Sequence, residues 1–229
     1  MARFGIIAAM PVEIEGFVRE HGAQEREQRG FYRLYECEVG ANEVFLACSG
    51  IGKVNAAACT QQLIDCFGVD RIVNMGIAGG ISPQLKTLDV VIGKDVFYHD
   101  FEAQFLDHYT PFRSRFSCDP ELTKAAEAAC RGLSDVERYS VGDVATGDIL
   151  VESGELKARI GETGAVCCEM EGAAVGQAAA RNSVPFLVVR TISDLADEAA
   201  GLTYAEFERR AAEQSNRIVG AMLASLSAR

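Results

Sequence analysis

Short apolar, β-branched runs alternate with helix-patterned stretches along this chain, and that alternation limits the folds open to it. The runs span 4–9, 44–49, 71–75, 90–92, 166–168 and 186–192. Helical patterns fill the intervals at 54–67, 122–130, 172–182 and 204–226. The second of these follows Asp119-Pro120, an N-cap residue with proline at the first helical position. Strands alternating with helices predict an α/β fold on a parallel or mixed sheet. The segment FYRLYECEV alternates before a turn at Ala41-Asn42, so antiparallel strands are expected as well. No linker rich in Pro, Gly or Ser divides the 229 residues, and one domain over 1–229 is expected.

Charge and targeting narrow the role. The formal net charge is −11, so no basic field exists for nucleic acid or an anionic membrane. The apolar run FGIIAAM is too short for a signal-peptide core, and no run reaches about 18 apolar residues. The eight cysteines include no C-x-x-C pair and read as small buried hydrophobes in a reducing compartment, so a cytoplasmic location is expected. His21 stands in a charged stretch and is expected to be exposed.

Glycine clusters at two points. Ser49-Gly50-Ile51-Gly52-Lys53 follows a strand and opens a helix. It fails the Walker A spacing, with Ala47 and Val54 at the required Gly and Ser/Thr positions, and fails the dinucleotide pattern at Asn55. A tight strand-to-helix turn remains. The second cluster, Asn74-Met75-Gly76-Ile77-Ala78-Gly79-Gly80, follows the strand RIVNM and reads as a ligand-facing loop.

Four carboxylates follow strands. Glu13 sits in the first turn of a helix begun by Pro11, and Glu169 and Glu171 flank Met170 after the run AVCC. Asp194 ends PFLVVRTISD, at the sheet edge where open α/β sheets bind ligands. Each alone reads equally as a carboxylate meeting a helix dipole or capping a helix. That account covers one member of the Glu169/Glu171 pair and not both. None has the His or Cys companions of a transition-metal site, and no G-x-S-x-G elbow occurs.

GIIAAMPVEIEGF, SGIGKVNAA, NMGIAGGI, EMEGAA and VPFLVVRTISDLAD together resemble the 5′-methylthioadenosine/S-adenosylhomocysteine nucleosidase family of the nucleoside phosphorylase superfamily. The resemblance covers nearly the whole chain. It implies a three-layer α/β/α sandwich around a central mixed β-sheet, and a homodimer. It implies an N-glycosyl hydrolase that releases adenine from 5′-substituted adenosines, with water as nucleophile and no metal or cofactor.

The resemblance also assigns roles. Glu13 matches the residue that activates water, Asp194 the acid that protonates adenine at N7, and Glu171 the carboxylate that grips the ribose hydroxyls. Met170 packs against the sugar, Arg190 and Ser193 give polar support, Val151 reads the adenine edge through its backbone, and Tyr204 stands near the base. Met10, Ile51, Ala78, Gly79 and Glu169 complete the expected substrate-binding set. Two positions depart from the family pattern: Ile77 replaces Ser or Thr, and Leu150 replaces an aromatic. Phe105, Tyr109, Pro111 and Phe112 resemble a segment that reaches the neighbouring subunit's pocket; they read equally as an aromatic dimer seam.

These residue types suit the chemistry. Carboxylates stabilise oxocarbenium character, and a protonated Asp194 in a desolvated pocket lets the base depart neutral. A phosphorylase needs cations for phosphate, whereas here Val73-Asn74-Met75 precedes the glycines and Glu13 faces the nucleophile's place. Hydrolysis is therefore expected over phosphorolysis. A futalosine-type nucleosidase, a purine nucleoside phosphorylase and a non-catalytic nucleoside binder are the alternatives.

Overall fold

The computed structural model describes residues 2–27, 30, 33–197 and 200–226. The elements run β1 (Arg3–Ala8), α1 (Pro11–His21), β2 (Gln24–Glu25), β3 (Arg33–Val39), β4 (Asn42–Cys48), α2 (Lys53–Phe67), β5 (Arg71–Gly80), β6 (Val90–Tyr98), α3 (Ala103–His108), β7 (Arg115–Ser117), α4 (Pro120–Gly132), β8 (Tyr139–Thr146), α5 (Gly154–Gly161), β9 (Ala165–Glu169), α6 (Gly172–Arg181), β10 (Phe186–Asp194) and α7 (Ala200–Leu226).

The strands form one mixed ten-stranded sheet. One wing runs β5-β1-β4-β3-β2, with β1 parallel to β4 and to β5, and β3 antiparallel to its neighbours β4 and β2. The other wing curls back on itself: β5 pairs β10, β10 pairs β6, β6 pairs β8, β8 pairs β9, and β9 returns to β5. Strand β5 therefore belongs to both wings. Helices α1, α4 and α7 cover one face, and α2 and α6 pack together on the other, giving three layers. A continuous core joins Phe4, Ile6 and Ile7 of β1, Ile72, Val73 and Met75 of β5, and Leu187, Val188 and Val189 of β10 to Phe17 of α1 and Val219 of α7.

The strand and helix pattern read from the sequence reappears, with three corrections. The second glycine cluster is not a loop. Strand β5 continues through it to Gly80, because β10 stays paired to it as far as Gly79 and β9 joins at Gly79–Gly80. Strand β8 lies outside the apolar runs because Gly142 and Asp143 interrupt its pattern; its place is set by pairing with β6 and β9. His21 is only part-exposed. Its ring packs on Phe17 with centroids 4.3 Å apart, and its Nε2 faces Gly220 of α7. The cysteines are free thiols, six of the eight buried, and burial pushes the thiols of Cys59, Cys118 and Cys130 up to about 12. No helix among the described residues is long and apolar enough to cross a membrane.

The expected cap at α4 is present: the Asp119 carboxylate accepts from the N–H groups of Glu121 and Leu122 at 2.9 and 3.0 Å. Asp119→Ala is expected to cost about 1 kcal/mol of stability, read as a lower urea midpoint with an unchanged slope.

Candidate active site

Strand β1 pairs β5 only along Phe4–Ile7 and Arg71–Asn74, while β9 meets it only at Gly79–Gly80. Since β10 occupies the opposite edge of β5, a gap opens between β1 and β9 on the remaining edge. The N–H of Ile77 falls in that gap with no strand to receive it, and the Glu13 Oε1 accepts it at 3.0 Å. The other oxygen, Oε2, accepts from the N–H groups of Ala9 and Met10 at 2.9 Å each, as a helix N3 glutamate reaching back over its own first turn does. Glu13 is buried. Burial pushes its pKa up, and the charge of Arg190 with these three N–H groups pulls it partly back.

Arg190 is 1% exposed. Its Nη2 donates to Glu169 and, at 2.5 Å, to the side-chain oxygen of Asn74, and lies 3.8 Å from Glu171 Oε2. Burial opposes its charge, but Glu169, Glu171 and Glu13 overcome that and hold its pKa above the ordinary arginine value.

The neighbouring glutamates divide the work. Glu169 is the one that satisfies the start of α6: it accepts from the N–H groups of Glu171, at 3.0 Å, and Gly172, at 2.7 Å, and also from the Thr146 hydroxyl. Glu171 turns toward the first glycine turn, where its Oε1 accepts from the Gly52 N–H at 2.9 Å, and its side chain does not cap α6. Burial and the nearby Glu169 charge push Glu171 up to about 8, against the pull of Arg190.

Strand β10 carries a bulge between Ile192 and Asp194, a common way to re-aim a side chain at a strand end. Asp194 Oδ1 accepts from the Ala196 N–H at 2.8 Å, and Oδ2 accepts from the Ser193 hydroxyl at 2.8 Å.

The glycines make room for these acids. A Cβ on Gly76 would stand 3.0 Å from the Glu13 carboxyl carbon and 3.2 Å from Arg190 Nη1, and one on Gly79 would stand 3.1 Å from Asp194 Oδ1. The first glycine turn serves carboxylates too. After Gly52 donates to Glu171, the Lys53 N–H donates to Asp148 Oδ1 at 2.9 Å. Lys53 Nζ holds both oxygens of Asp100 at 2.8 Å, and Asp100 accepts from the Asp148 N–H at 2.8 Å. These N–H groups are occupied by the protein's own acids. The loop carrying Leu150 and Val151 is thereby tied to α2 and to the end of β6.

A cavity of about 350 Å³ opens at these strand ends. It brings together the expected Met10, Glu13, Ile51, Ile77, Ala78, Gly79, Leu150, Glu169, Met170, Glu171, Ser193, Asp194 and Tyr204. Tyr204 donates to Glu208 at 2.8 Å and lies 3.5 Å from the Met10 sulfur. Arg190 stands behind the acids rather than on the wall. Val151 is buried among Phe97, Ala145 and Ile160 and does not line the cavity, so a role for it rests on its main chain. Ile77 packs against Ala211, Ala212 and Tyr204, and only its backbone serves Glu13. Phe105, Tyr109, Pro111 and Phe112 do not line the cavity of their own chain; the three aromatics are 52%, 67% and 68% exposed. Ala9, Glu152 and Cys168 line it without having been expected. Each adjoins an expected residue in sequence, and that adjacency was the available signal.

A three-layer sandwich that gathers acids around a ligand-sized cavity at its strand ends defines an α/β protein with a small-molecule site. A family model described as "Phosphorylase superfamily" matches residues 3–224. The chain is 36% identical to a 5′-methylthioadenosine/S-adenosylhomocysteine nucleosidase of Treponema pallidum, over 98% of this chain and 93% of that protein. The same enzyme from Neisseria meningitidis, solved with methylthio-immucillin-A, superposes with a TM-score of 0.90 at 33% identity, covering 98% of this chain and 100% of that one. A futalosine hydrolase of Helicobacter pylori superposes equally well, TM-score 0.90, at 28% identity over 98% of each chain. The chain belongs to the phosphorylase superfamily and, within it, to the 5′-methylthioadenosine/S-adenosylhomocysteine nucleosidase family.

The raised pKa of Glu171 sets a pH dependence. Its proton is held more tightly in the folded chain than in the unfolded one, so its contribution to stability is complete below about 4.5 and is lost as pH rises through about 8. Glu171→Gln is expected to flatten the fall of Tm across that window and to exceed the wild type in Tm above it, measured by thermal melts from pH 5 to 9.

Proposed function

We propose that this chain hydrolyses the N-glycosidic bond of 5′-substituted adenosines such as 5′-methylthioadenosine, S-adenosylhomocysteine and 5′-deoxyadenosine, releasing adenine and the 5-substituted ribose. One observation carries the reading: Glu13, Glu171 and Asp194, distant in sequence, line one cavity, and among the described residues no Lys, Arg or His lines it with them.

Glu13 is the general base. Burial makes it a stronger base than a solvated glutamate, and its two oxygens are steadied by three backbone donors. Asp194 is the acid at the purine. Its oxygens are held by the Ser193 hydroxyl and the Ala196 N–H, which orients the carboxyl toward one place in the cavity. Glu171 accepts from the ribose hydroxyls, and Met170 packs against the sugar. As the C1′–N9 bond lengthens, positive charge grows on the sugar beside these acids and is stabilised in a desolvated site. Adenine then departs as a neutral base. Among the described residues Arg190 is the one guanidinium at the floor of the site, and it is engaged by Glu169 and Asn74, so phosphate would meet Glu13 and no free cation there. Water is the nucleophile that fits.

The pocket is open where Ile51 and Leu150 are exposed, and aromatic side chains stand exposed on and after α3. The Phe101 and Phe105 rings lie 6.5 Å apart, and Tyr98 lies 6.3 Å from Phe101. This supports a homodimer in which Phe105, Tyr109, Pro111 and Phe112 of one copy close the 5′ side of the other's cavity. Activity per chain is then expected to fall on dilution below the dimer's dissociation constant, followed by initial rates over a range of enzyme concentrations.

Incubation with methylthioadenosine should release adenine, followed by absorbance at neutral pH. Asp194→Asn and Glu13→Gln should each lower kcat about 10²- to 10⁴-fold. No turnover, or an undiminished rate in Asp194→Asn, would overturn the reading. Likeness to the futalosine hydrolase makes futalosine the informative competitor; a preference for it across a substrate panel would move the chain to that activity.

A further inference from the structure

The Ile77 N–H that steadies Glu13 and the Gly76 carbonyl belong to one peptide unit. The N–H side of that unit faces the gap between β1 and β9. The carbonyl points to the opposite edge, where β10 pairs with β5, and there the Ser215 hydroxyl of α7 reaches over the strands and donates to it at 2.8 Å. Ser215 Oγ also lies 2.9 Å from the Thr191 hydroxyl of β10. A serine hydroxyl has one proton, and a carbonyl can only accept. Ser215 therefore spends its proton on Gly76, and Thr191 must be the donor to Ser215. The chain of bonds has one direction: Thr191 O–H to Ser215, Ser215 O–H to the Gly76 carbonyl, and the Ile77 N–H of the same peptide to Glu13 Oε1. Thr191 and Ser215 are both fully buried, so no solvent competes for these bonds.

Two further observations give this chain of bonds its importance. Ala9 and Met10, the other donors to Glu13, belong to its own turn. Ile77 is the only one of the three that ties the carboxylate to β5, the strand whose end forms the cavity wall. Gly76 also permits no slack, because its Cα lies so near the Glu13 carboxyl and Arg190 that a Cβ would crowd both. A tilt of this peptide would move the base or release it. Hydrogen bonds in series also polarise one another, so a donor on the carbonyl makes the N–H of the same unit a better donor.

We propose that Ser215, with Thr191 behind it, is a positioning residue for the general base: it locks and polarises the Gly76–Ile77 peptide so that Glu13 stays ionised and aimed at the water. Ser215 touches neither substrate nor the reacting atoms. The inference rests on the reading of Glu13 as the base.

The test is a steady-state and pH study of the full chain with methylthioadenosine. Ser215→Ala is expected to lower kcat about ten-fold while KM changes less than about two-fold. Losing the polarised donor favours protonated Glu13, so the acidic limb of kcat/KM should move to higher pH by about half a unit. Among the described residues the other ionisable groups facing Glu13 are Arg190 of β10, Glu171 at the start of α6, Cys48 at the end of β4 and Tyr204 of α7, and all are unchanged in the variant. Ser215→Thr keeps the hydroxyl and should keep kcat and the limb even though its extra methyl lowers Tm. Thr191→Val should show a smaller fall, and the double variant Thr191→Val/Ser215→Ala should be no slower than Ser215→Ala alone.

A Ser215→Ala protein that melts earlier but retains kcat and the wild-type limb overturns the inference, as does a Ser215→Thr protein as slow as Ser215→Ala. If Ser215→Ala fails to fold, Thr191→Val decides: a fall in kcat with the limb displaced supports the inference, and unchanged kinetics overturn it. A wild-type chain that releases no adenine overturns the functional reading and this inference with it. An active wild type with an indistinguishable variant overturns the inference alone.

Discussion

Arg190 makes this site possible. Three glutamates, Glu13, Glu169 and Glu171, are buried around a single guanidinium that is itself out of water. One positive charge cannot balance three negative ones, and an unbalanced buried charge is among the costliest features a fold can contain. The remainder is settled in two ways. Backbone N–H groups supply partial positive charge, three to Glu13, two to Glu169 and one to Glu171. Glu171 takes the second way: burial and the neighbouring Glu169 charge push its pKa up to about 8, which favours the uncharged form. The same shortage of positive charge that makes the empty site costly suits it to a reaction whose transition state carries positive charge on a sugar.

Geometry follows from that electrostatic need. Donors for so many carboxylate oxygens come from places where regular pairing stops: the gap beside β5, the strand-to-helix turn at Gly52, the start of α6 and the bulge in β10. Each is a strand end or an interruption, so acids and cavity share one edge of the sheet. Substituting any one donor-bearing segment would disturb several acids, since Arg190 links Glu169 to Glu171 and Asn74, and the glycine turn links Glu171 to Asp148.

Much of this is legible in the chain itself. Pro11 with Glu13, the Asp119-Pro120 cap and the apolar runs are local signals, and they gave the elements they should. Local signals misled where two readings shared a composition. The small residues from Gly76 to Gly80 suit a loop and a strand alike, and they form a strand because β10 and β9 flank them. The Glu169/Glu171 pair is one acid too many for a helix dipole, but which acid meets the helix is decided by Gly52 at the start of α2, the helix packed beside α6. Ser215 lies outside every motif, Thr191 has no role of its own within VPFLVVRTISDLAD, and only packing of α7 on β10 gives them a common purpose.

By itself the sequence determined the alternation of strands and helices, the identity of the acids, and the lack of a cationic cradle for phosphate, because these depend on residue type and short-range order. Tertiary structure decided which edge of β5 was left open, which hydroxyls stand behind Gly76, and which carboxylates share Arg190. Those are contacts between segments more than 60 residues apart in several cases, as with Glu13 and Ile77 or Arg190 and Asn74. No local pattern specifies such a meeting. It results from the closure of the β5–β10–β6–β8–β9 ring beside an open wing that shares only β5.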